Sequence, residues 1–414
     1  MSQTQVSAAP APPRVLFVRN ARGHTEISGP ETYMLAVMPT FQAQGIDVAL
    51  HCTINPSLGA PKWLADFEAA GIPTQVHSVG SAAGFSDVAD VIRTVRKRQA
   101  TVLHSFDHRS DLVALLAARR TGAAAVASFA GWTNWTGKAL KERVYMSVDR
   151  WALNRADAVL IDSAFVGRAA GIKTGPRPVV VLPNGVDLAR FSQSDETDLK
   201  QRHFGDPSVL LLGIVGRIHP NKGQLDFVRA AADLSARHPE ARFLIVGATP
   251  EGHEDYGRAV TDLIKQAGLS DKVHQIVARP VEIPGIMAAM DILLAPCHTE
   301  SCSFAILEAM ASAKPVVAAR AGGNPELVAE EITGLFVPPN SWESLRDAAE
   351  RLIADPEMRA SLGQAGYQKI RNGYSVARMV EHTRSIYQSV LAMPRQPARL
   401  RTCLETGGFT LLVS

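Results

Sequence analysis

The chain has 414 residues, a length that predicts two or three domains. Its 46% hydrophobic and 20% charged residues supply enough apolar material for sizeable cores, which argues against global disorder. A net charge of +3 is too small to indicate nucleic-acid binding by itself, and we expect no nucleic-acid partner.

Several classes of site and location are also disfavoured. The spacing of Cys52, Cys297, Cys302 and Cys403 matches no zinc or redox signature, so we expect reduced thiols. Residues 1–13, which we expect to be disordered, lack the basic start and apolar centre of a signal peptide. No apolar run approaches the roughly 20 residues that a membrane span needs. These features predict a cytoplasmic protein.

Short apolar runs alternate with helical patterns through the first half of the chain. The runs are residues 15–18, 46–52, 74–79, 101–106, 124–129, 158–161 and 179–182. Amphipathic stretches lie between several of them; Val88, Val91, Ile92 and Val95, for example, repeat at helical spacing. Continuous apolar strands separated by helices predict a parallel sheet that is covered on both faces.

The same pattern restarts after a polar, acidic stretch without clear periodicity. Residues 209–215 predict a strand, residues 222–237 a helix and residues 375–391 a last helix, and further apolar runs lie at 243–246, 273–277, 292–295, 316–318 and 335–337. We therefore predict an α/β protein with two doubly wound, Rossmann-like domains facing a central cleft, where ligands of such folds bind. The predicted divisions are 14–190 and 208–374 for the domains, 191–207 for the linker, 375–393 for a terminal helix and 394–414 for a tail.

The first candidate binding motif follows the strand at residues 209–215. Gly216 and Arg217 end this strand, and Lys222 and Gly223 stand where a helix begins. Two cations that converge beside a helix N-terminus make a site for a diphosphate. The alternative is a pair of solvated loop charges, but a lysine at a helix start opposes the helix dipole, which favours a functional reason.

The second motif runs from Glu300 to Glu308, after the apolar run at residues 292–295. Ser303 is a candidate helix cap whose neighbouring N–H groups could hold a phosphate oxygen. Glu300 in the loop could meet sugar hydroxyls, and Glu308 in the helix could accept hydrogen bonds from a ribose. The alternative is two surface carboxylates, but Glu308 stands among apolar residues, a setting that charges avoid without a partner.

These motifs, with Ala-Gly-Gly-Asn-Pro-Glu at 321–326 and Thr-Gly-Leu-Phe-Val-Pro at 333–338, resemble the retaining glycosyltransferases of family 4, which have the GT-B fold. The match is dense over about residues 211–337. The first half is looser: Ser-Gly-Pro-Glu at 28–31 stands where the family often has Gly-Gly-x-Glu, although residues 182–187 match its interdomain segment well. The resemblance also makes the terminal helix a candidate to cross back to the first domain.

The resemblance implies which residues contact the diphosphate of the donor. Arg217 and Lys222 would grip the diphosphate beside Gly216, and Gly29 would let the backbone approach the phosphates because glycine has no side chain.

It also implies how the rest of the donor is held. Glu308 would bind the ribose, while Glu300 and the backbone through Ser303 and Phe304 would orient the transferred sugar. The implied catalytic residues are Arg217, Lys222 and Glu300.

The implied reaction moves a sugar from a UDP- or GDP-sugar to a glycan or lipid-linked glycan with retention of anomeric configuration. Stabilising negative charge on the leaving diphosphate is then the main task of the protein. The chain contains no Asp-x-Asp sequence, so we expect no obligatory divalent metal and no cofactor.

Two departures from the family stand near the expected sugar site. Ser-Cys-Ser at 301–303 replaces the usual Gly-Phe-Gly, and Ala130 stands where many relatives carry a histidine. His104, His108 and His24 are candidates to substitute, although each is more typical of an ordinary loop or strand-end histidine. The acceptor-side candidates are Trp132, Asn134 and His104, and Trp132 fits a core position equally well.

Two alternative functions and one possible membrane contact remain open. A sugar-nucleotide 2-epimerase uses a related two-domain architecture, and Ala130 keeps a non-catalytic sugar-nucleotide-binding subunit in view. The basic cluster of Arg93, Arg96, Lys97 and Arg98 is a candidate for peripheral contact with the inner face of the membrane, although a solvated helix end explains it too.

Overall fold

The computed structural model describes residues 11–21, 27–79, 85–132, 140–172, 177–192 and 197–393. The acceptor-side candidate Asn134, the candidate His24 and the tail predicted at 394–414 lie outside the described residues. Cys52, Cys297 and Cys302 are buried free thiols.

The first domain is built on a parallel sheet of seven strands. They are β1 (Arg14–Asn20), β2 (Asp47–Ile54), β3 (Thr74–Ser78), β4 (Val102–Ser105), β5 (Ala124–Phe129), β6 (Ala158–Ile161) and β7 (Val179–Val181), in the order β3-β2-β1-β4-β5-β6-β7. The helices beside it are α1 (Gly29–Ala43), α2 (Leu64–Ala69), α3 (Phe85–Arg98), α4 (His108–Thr121), α5 (Leu140–Leu153) and α6 (Ala164–Ala170). The central strands are buried along almost their whole length, as expected where helices cover both faces.

The second domain repeats this plan with six parallel strands. They are β8 (Leu210–Val215), β9 (Ala241–Val246), β10 (Val273–Ile276), β11 (Ile292–Ala295), β12 (Val316–Ala319) and β13 (Leu335–Val337), in the order β10-β9-β8-β11-β12-β13. The remaining helices are α7 (Leu188–Ser192), α8 (Thr197–Phe204), α9 (Gln224–Arg237), α10 (Glu254–Gln266), α11 (Ile283–Ala289), α12 (Phe304–Ala311), α13 (Asn324–Leu327), α14 (Trp342–Ala354), α15 (Pro356–Gly373) and α16 (Val376–Ala392).

The strand order places a crevice in each domain. In the second domain β8 pairs with β9 on one side and β11 on the other, so the order of connection reverses at β8. In the first domain β1 lies between β2 and β4 in the same way. Ligands of doubly wound sheets bind outside the carboxyl ends of the strands at such reversal points. The predicted α/β fold with two Rossmann-like domains is therefore confirmed.

The stretch predicted to be the linker, residues 191–207, contains helical segments in its described part. It contains α8 and borders α7, and Leu199 and Phe204 of α8 pack against a buried cluster of the second domain. The Lys200 ammonium also lies 2.7 Å from the Asp291 carboxylate, just before β11. These helices were not predicted from the sequence, because too few apolar residues lie on their packed faces to give a helical pattern.

The last helix, α16, crosses back and completes the core of the first domain. Met379, Val380, Ile386 and Tyr387 belong to the same buried cluster as Phe17 of β1. The Tyr387 hydroxyl lies 2.6 Å from His104 Nδ1, and the Tyr33 hydroxyl lies 3.3 Å from Thr383 Oγ1. The crossing of the terminal helix is confirmed, and it joins the two domains by a second connection.

Removing the Tyr387 side chain should therefore destabilise the protein strongly. Tyr387→Ala should cost about 3–5 kcal/mol, because it leaves a cavity in a dense core. Tyr387→Phe should cost about 1–3 kcal/mol, because it leaves the buried Nδ1 of His104 without its hydrogen-bond partner. Urea denaturation measures both. Leu391→Ala, at a 39% exposed position of the same helix, is the control. An equal loss for Tyr387→Ala and Leu391→Ala would contradict this packing.

Candidate functional site

An ion pair joins two loops at the carboxyl edge of the second sheet. Lys222 ends a short 3-10 turn, Pro220–Lys222, that follows β8, and its ammonium contacts the Glu300 carboxylate in the loop after β11. Gly223 has φ +76°, and a β-carbon there would overlap the Pro296 carbonyl oxygen. Only glycine therefore allows the lysine turn to approach the glutamate loop this closely.

A second glycine holds the other side of the glutamate loop. Gly322 has φ +58°, and a β-carbon there would overlap the Glu300 carbonyl oxygen. The same carbonyl accepts a hydrogen bond from Gly323 N at 2.9 Å. The Gly-Gly pair is thus a platform that fixes the backbone of Glu300.

The charges at this edge favour an anion. Burial opposes the charge on Lys222, but the Glu300 carboxylate outweighs that effect and raises the pKa of Lys222. The Arg217 charge lies close enough to oppose the charge on Lys222, so both cations lie at this edge of the sheet. Gly216 lies beside the aliphatic part of the Lys222 side chain and leaves room for it.

Helix α12 begins at the same pocket. Ser303 is its N-cap and accepts a hydrogen bond from Ile306 N at 3.4 Å. Lys222, Glu300 and Ser303 line a common pocket above the carboxyl ends of β8 and β11. The first turn of a helix beside two cations is a favourable place for phosphate oxygens.

Glu308 lies on α12, five residues after Ser303, which is roughly 7 Å along a helix axis. It is half-buried, and burial raises the pKa of Glu308 to about 8 against a smaller opposite effect of Arg190. Among the described residues we find no hydrogen-bond partner for its carboxyl group. It therefore has bonding capacity free for hydroxyl groups.

The first domain faces this pocket through the start of α1. Gly29 is exposed, and a β-carbon there would lie 4.0 Å from Phe304 Cε2. Phe304, the first residue of α12, packs against the core of the first domain. The structure thus brings the start of α1 in the first domain against the start of α12 in the second domain.

A buried charge network, which the sequence analysis missed, holds the start of α1. Arg19 Nε donates to Glu31 Oε1 at 2.6 Å, and Arg19 Nη1 donates to Asp107 Oδ2 at 3.0 Å. Glu31 also accepts a hydrogen bond from Ser28 N at 2.9 Å. An arginine at the end of an apolar strand was the available signal, since such a charge needs buried partners.

Two further residues, also given no role from sequence, join the domains. The Glu326 carboxylate accepts hydrogen bonds from Ala164 N and Phe165 N, both at 2.9 Å, at the start of α6. Asn184 Nδ2 donates to the Cys302 carbonyl at 3.1 Å. These contacts set the first domain directly against the loop that carries Glu300.

Comparison with known proteins agrees with this architecture. Residues 28–185 match the family model for the glycosyl transferase 4-like domain, and residues 195–369 match glycosyl transferases group 1. Similar solved structures include HepE from Anabaena in complex with UDP, with a TM-score of 0.77 and 22% identity over 91% of this chain and 100% of that chain. The chain belongs to the glycosyltransferases of GT-B fold.

Other solved GT-B structures and curated glycosyltransferases cover parts of this chain. Sucrose-phosphate synthase from Thermosynechococcus elongatus has a TM-score of 0.75 and 18% identity over 92% of this chain and 99% of that chain. A D-inositol 3-phosphate glycosyltransferase of Segniliparus rotundus is 35% identical over 46% of this chain and 42% of its own length. The lipopolysaccharide core mannosyltransferase LpcC of Rhizobium leguminosarum is 29% identical over 60% of this chain and 69% of its own. The chain thus spans about half the length of several curated relatives.

Two of the three acceptor-side candidates of this GT-B chain, His104 and Trp132, lie within the described residues. His104 is fully buried, with its ring nitrogens 2.6 Å from the Tyr387 hydroxyl and 2.8 Å from the Ser128 hydroxyl. Burial lowers the pKa of His104 to about 3, so the ring is neutral. The expected acceptor-side role for His104 is wrong in this structure, because the ring cannot reach a ligand.

Trp132 is half-buried and held by its own domain. Its Nε1 donates to Asp149 Oδ2 at 2.7 Å, and the Arg150 guanidinium lies 5.2 Å from the ring centroid. Asp149 in turn contacts Asp111, and both carboxyl groups are buried. Burial and their mutual repulsion raise the pKa of Asp111 well above its usual range, so the pair holds a proton at higher pH than an exposed aspartate does.

The pair should make stability depend on pH. A raised folded-state pKa means that the folded protein holds the proton more tightly, so this stabilisation is lost as the pH rises through the folded-state value. Asp111→Asn removes the titrating carboxyl group of Asp111 and keeps the shape of the side chain. The melting temperature of Asp111→Asn, relative to that of the unaltered protein, should therefore increase as the pH rises above about 4, the ordinary pKa of an aspartate.

Melting curves at several pH values measure this difference. Asp66→Asn, at an exposed position, is the control and should show a constant difference. A constant difference for Asp111→Asn as well would rule out the shared proton.

Proposed function

We propose that this chain transfers a sugar from a nucleotide-sugar donor to an acceptor hydroxyl, with retention of anomeric configuration. The observation that carries the proposal is the ion pair of Lys222 and Glu300, placed beside Arg217 and the first turn of α12 at a cleft between two Rossmann-like domains. The glycosyltransferase names of the relatives and the UDP in the HepE complex support a nucleotide-sugar donor, with UDP or GDP as the nucleotide.

In this proposal the bond between the anomeric carbon and the diphosphate oxygen breaks as a bond to the acceptor oxygen forms on the same face. The acceptor proton passes to the leaving diphosphate oxygen. The growing negative charge then lies against Lys222 and Arg217, which stabilise the transition state more than the bound donor. Glu300 holds the lysine in place through Oε2, and its Oε1, which accepts a hydrogen bond from Ser301 N at 3.2 Å, is assigned to the sugar hydroxyls.

The ribose is assigned to Glu308 because of its position and its free bonding capacity. It lies further along the helix whose first turn would receive the phosphates. A carboxyl group that forms hydrogen bonds with two ribose hydroxyls would gain partners that the described side chains do not supply. Gly29 offers backbone to the phosphates from the opposite side of the cleft.

Loss of the Lys222 charge should slow transfer. Lys222→Ala should lower kcat about 10²-fold, because one preorganised charge on the leaving group is removed. A panel of UDP- and GDP-sugars in thermal-shift assays first identifies the donor, since bound ligand raises the melting temperature.

The rate of transfer is then measured as the release of nucleoside diphosphate. Lys265→Ala, at an exposed position of α10, removes the same charge far from the cleft and should leave the rate unchanged. A folded Lys222→Ala protein with an unchanged rate would remove this lysine from the mechanism.

A second candidate function is donor binding without transfer. Ala130 is exposed where many relatives carry a histidine, and buried His104 does not replace that side chain. Incubation of the donor alone separates the candidates: an epimerase converts it, a transferase hydrolyses it slowly, and a binding subunit leaves it intact.

We further propose a lipid-linked glycan acceptor and peripheral contact with an anionic membrane. In the described residues no helix has the length and apolar character to cross a bilayer. The proposed membrane-contacting surface is one face of α5. Its exposed apolar residues recur at helical spacing and are Leu140, Val144, Val148 and Trp151. Lys141 and Arg143 are exposed beside them, and no exposed position of α5 is acidic. Apolar residues flanked by cations are typical of helices that lie in a membrane surface.

This contact should be visible with lipid vesicles. The protein should sediment with vesicles that contain phosphatidylglycerol, and less so at high salt, because salt screens the cations. Val148→Asp should weaken binding about ten-fold, since it places an acid in the apolar face. Val277→Asp, at a 74% exposed position in the second domain, is the control. Equal sedimentation of both variants would exclude α5 as the contact.

A further inference from the structure

A chain of hydrogen bonds runs through the core of the first domain to one hydroxyl group at the edge of its sheet. The Tyr387 hydroxyl of α16 lies 2.6 Å from His104 Nδ1, and His104 Nε2 lies 2.8 Å from Ser128 Oγ. Tyr387 and His104 are fully buried, whereas Ser128, the next-to-last residue of β5, is half-buried. The chain therefore ends at a hydroxyl group that a ligand can reach.

The packing around the histidine ring keeps this chain in one arrangement. The His104 ring stacks on Phe106 with 4.5 Å between the ring centroids, and its centroid lies 5.3 Å from that of Phe17. Tyr33 meets the same ring edge-on at 6.3 Å. Side chains packed this closely in a core stay in one rotamer, so the direction from His104 to Ser128 is fixed.

Burial also decides which atom of each pair donates. The ring is neutral, because burial lowers the pKa of His104 to about 3, and a neutral imidazole has one N–H donor and one acceptor nitrogen. Within the described part of the chain, His104 Nδ1 is the acceptor for the buried Tyr387 hydroxyl, which would otherwise stay unsatisfied. Tyr387 therefore donates to Nδ1, and the N–H of Nε2 donates to Ser128 Oγ.

This order of donors leaves the hydrogen of the Ser128 hydroxyl available. Because Oγ accepts from His104, its own O–H points away from the ring, and the described residues supply no acceptor for it. Ser128 is thus a donor whose direction is set in advance.

The strand order places this donor at the cleft between the domains. The carboxyl ends of β1, β4, β5 and β6 lie side by side in that order. Beyond β1, a β-carbon on Gly29 would lie 4.0 Å from Phe304 of the second domain, and beyond β6, a β-carbon on Gly323 would lie 2.9 Å from Ser163 Cβ. The end of β5, with Ser128, lies between these two domain contacts and faces the second domain.

The second domain presents Glu300 at the same place. Gly323 N donates to the Glu300 carbonyl at 2.9 Å, so the contact beyond β6 adjoins the glutamate loop. Ser128 pairs with Leu160, three residues before Ser163, which sets it back by about 10 Å along the strand direction. A gap of this size has room for one sugar ring between the Ser128 hydroxyl and the Glu300 loop.

We propose that Ser128 donates a hydrogen bond to a hydroxyl oxygen of the transferred sugar, and that His104 and Tyr387 are positioning residues that fix the direction of this bond. This inference rests on the function proposed above, in which Glu300 accepts hydrogen bonds from the same sugar. A donor from one domain and an acceptor from the other make binding depend on how the sugar hydroxyls are oriented.

Calorimetric titration tests the contact with two ligands, the nucleotide sugar found by the thermal-shift panel and its nucleoside diphosphate. Ser128→Ala should weaken binding of the nucleotide sugar about ten-fold and leave the nucleoside diphosphate unaffected, because only the first ligand carries the sugar. Ser128→Thr keeps the hydroxyl group and should restore most of the affinity. Ser105→Ala, which removes a hydroxyl that donates to the Val126 carbonyl at 3.4 Å on the neighbouring strand, is the control.

Tyr387→Phe tests the positioning roles. It removes the O–H that makes His104 Nδ1 an acceptor, so the hydrogen of Ser128 is no longer directed to the cleft. Binding of the nucleotide sugar should weaken about three-fold, and the variant should add nothing to Ser128→Ala, because both act through one hydroxyl group. In the unaltered protein, ¹⁵N NMR of His104, assigned with His104→Gln, should show Nε2 protonated and Nδ1 unprotonated.

Each outcome decides for or against a part of the proposal. Unchanged affinity of Ser128→Ala for the nucleotide sugar, or an equal loss for both ligands, would overturn the sugar contact, and a proton on His104 Nδ1 would overturn the positioning roles. If sugar binding depends on Ser128 but no acceptor receives the sugar, the proposed function fails and this inference stands. If transfer occurs and Ser128→Ala binds the donor normally, this inference alone fails. If no nucleotide sugar binds, both fail.

Discussion

The contact between Lys222 and Glu300 is the interaction around which the candidate site is organised. It joins the turn after β8 to the loop after β11, at the point where the strand order of the second sheet reverses. Two glycines make it possible, because a side chain at Gly223 or Gly322 would push the loops apart. A lysine held in this way is already in place when an anion arrives, so little reorganisation is needed on binding.

The rest of the fold keeps the first domain against this contact. Helix α16 leaves the second domain and completes the core of the first, where Tyr387 is fully buried. Glu326 and Asn184 add direct hydrogen bonds between the domains. A cleft bounded by two domains and fixed at several points can exclude water around a reacting bond, which strengthens electrostatic interactions within it.

The sequence alone was sufficient to predict the two-domain α/β fold and the positions of several of its strands. Buried parallel strands are continuous apolar runs, so β5, β6, β11 and β13 coincide with the predicted runs. The helices of the predicted linker were missed because few apolar residues mark their packed face. His104 was misplaced because a histidine at a strand end has the same sequence pattern whether it faces the core or a cleft.

The central claim is that Lys222 binds the diphosphate and Glu308 binds the ribose of one nucleotide. Calorimetric titration with a nucleoside diphosphate and with inorganic pyrophosphate tests both assignments together. Lys222→Ala should weaken the binding of both ligands, whereas Glu308→Gln should weaken only the nucleoside diphosphate. Unchanged affinity of Lys222→Ala for both ligands, or a loss of pyrophosphate binding in Glu308→Gln equal to its loss of nucleotide binding, would contradict the account.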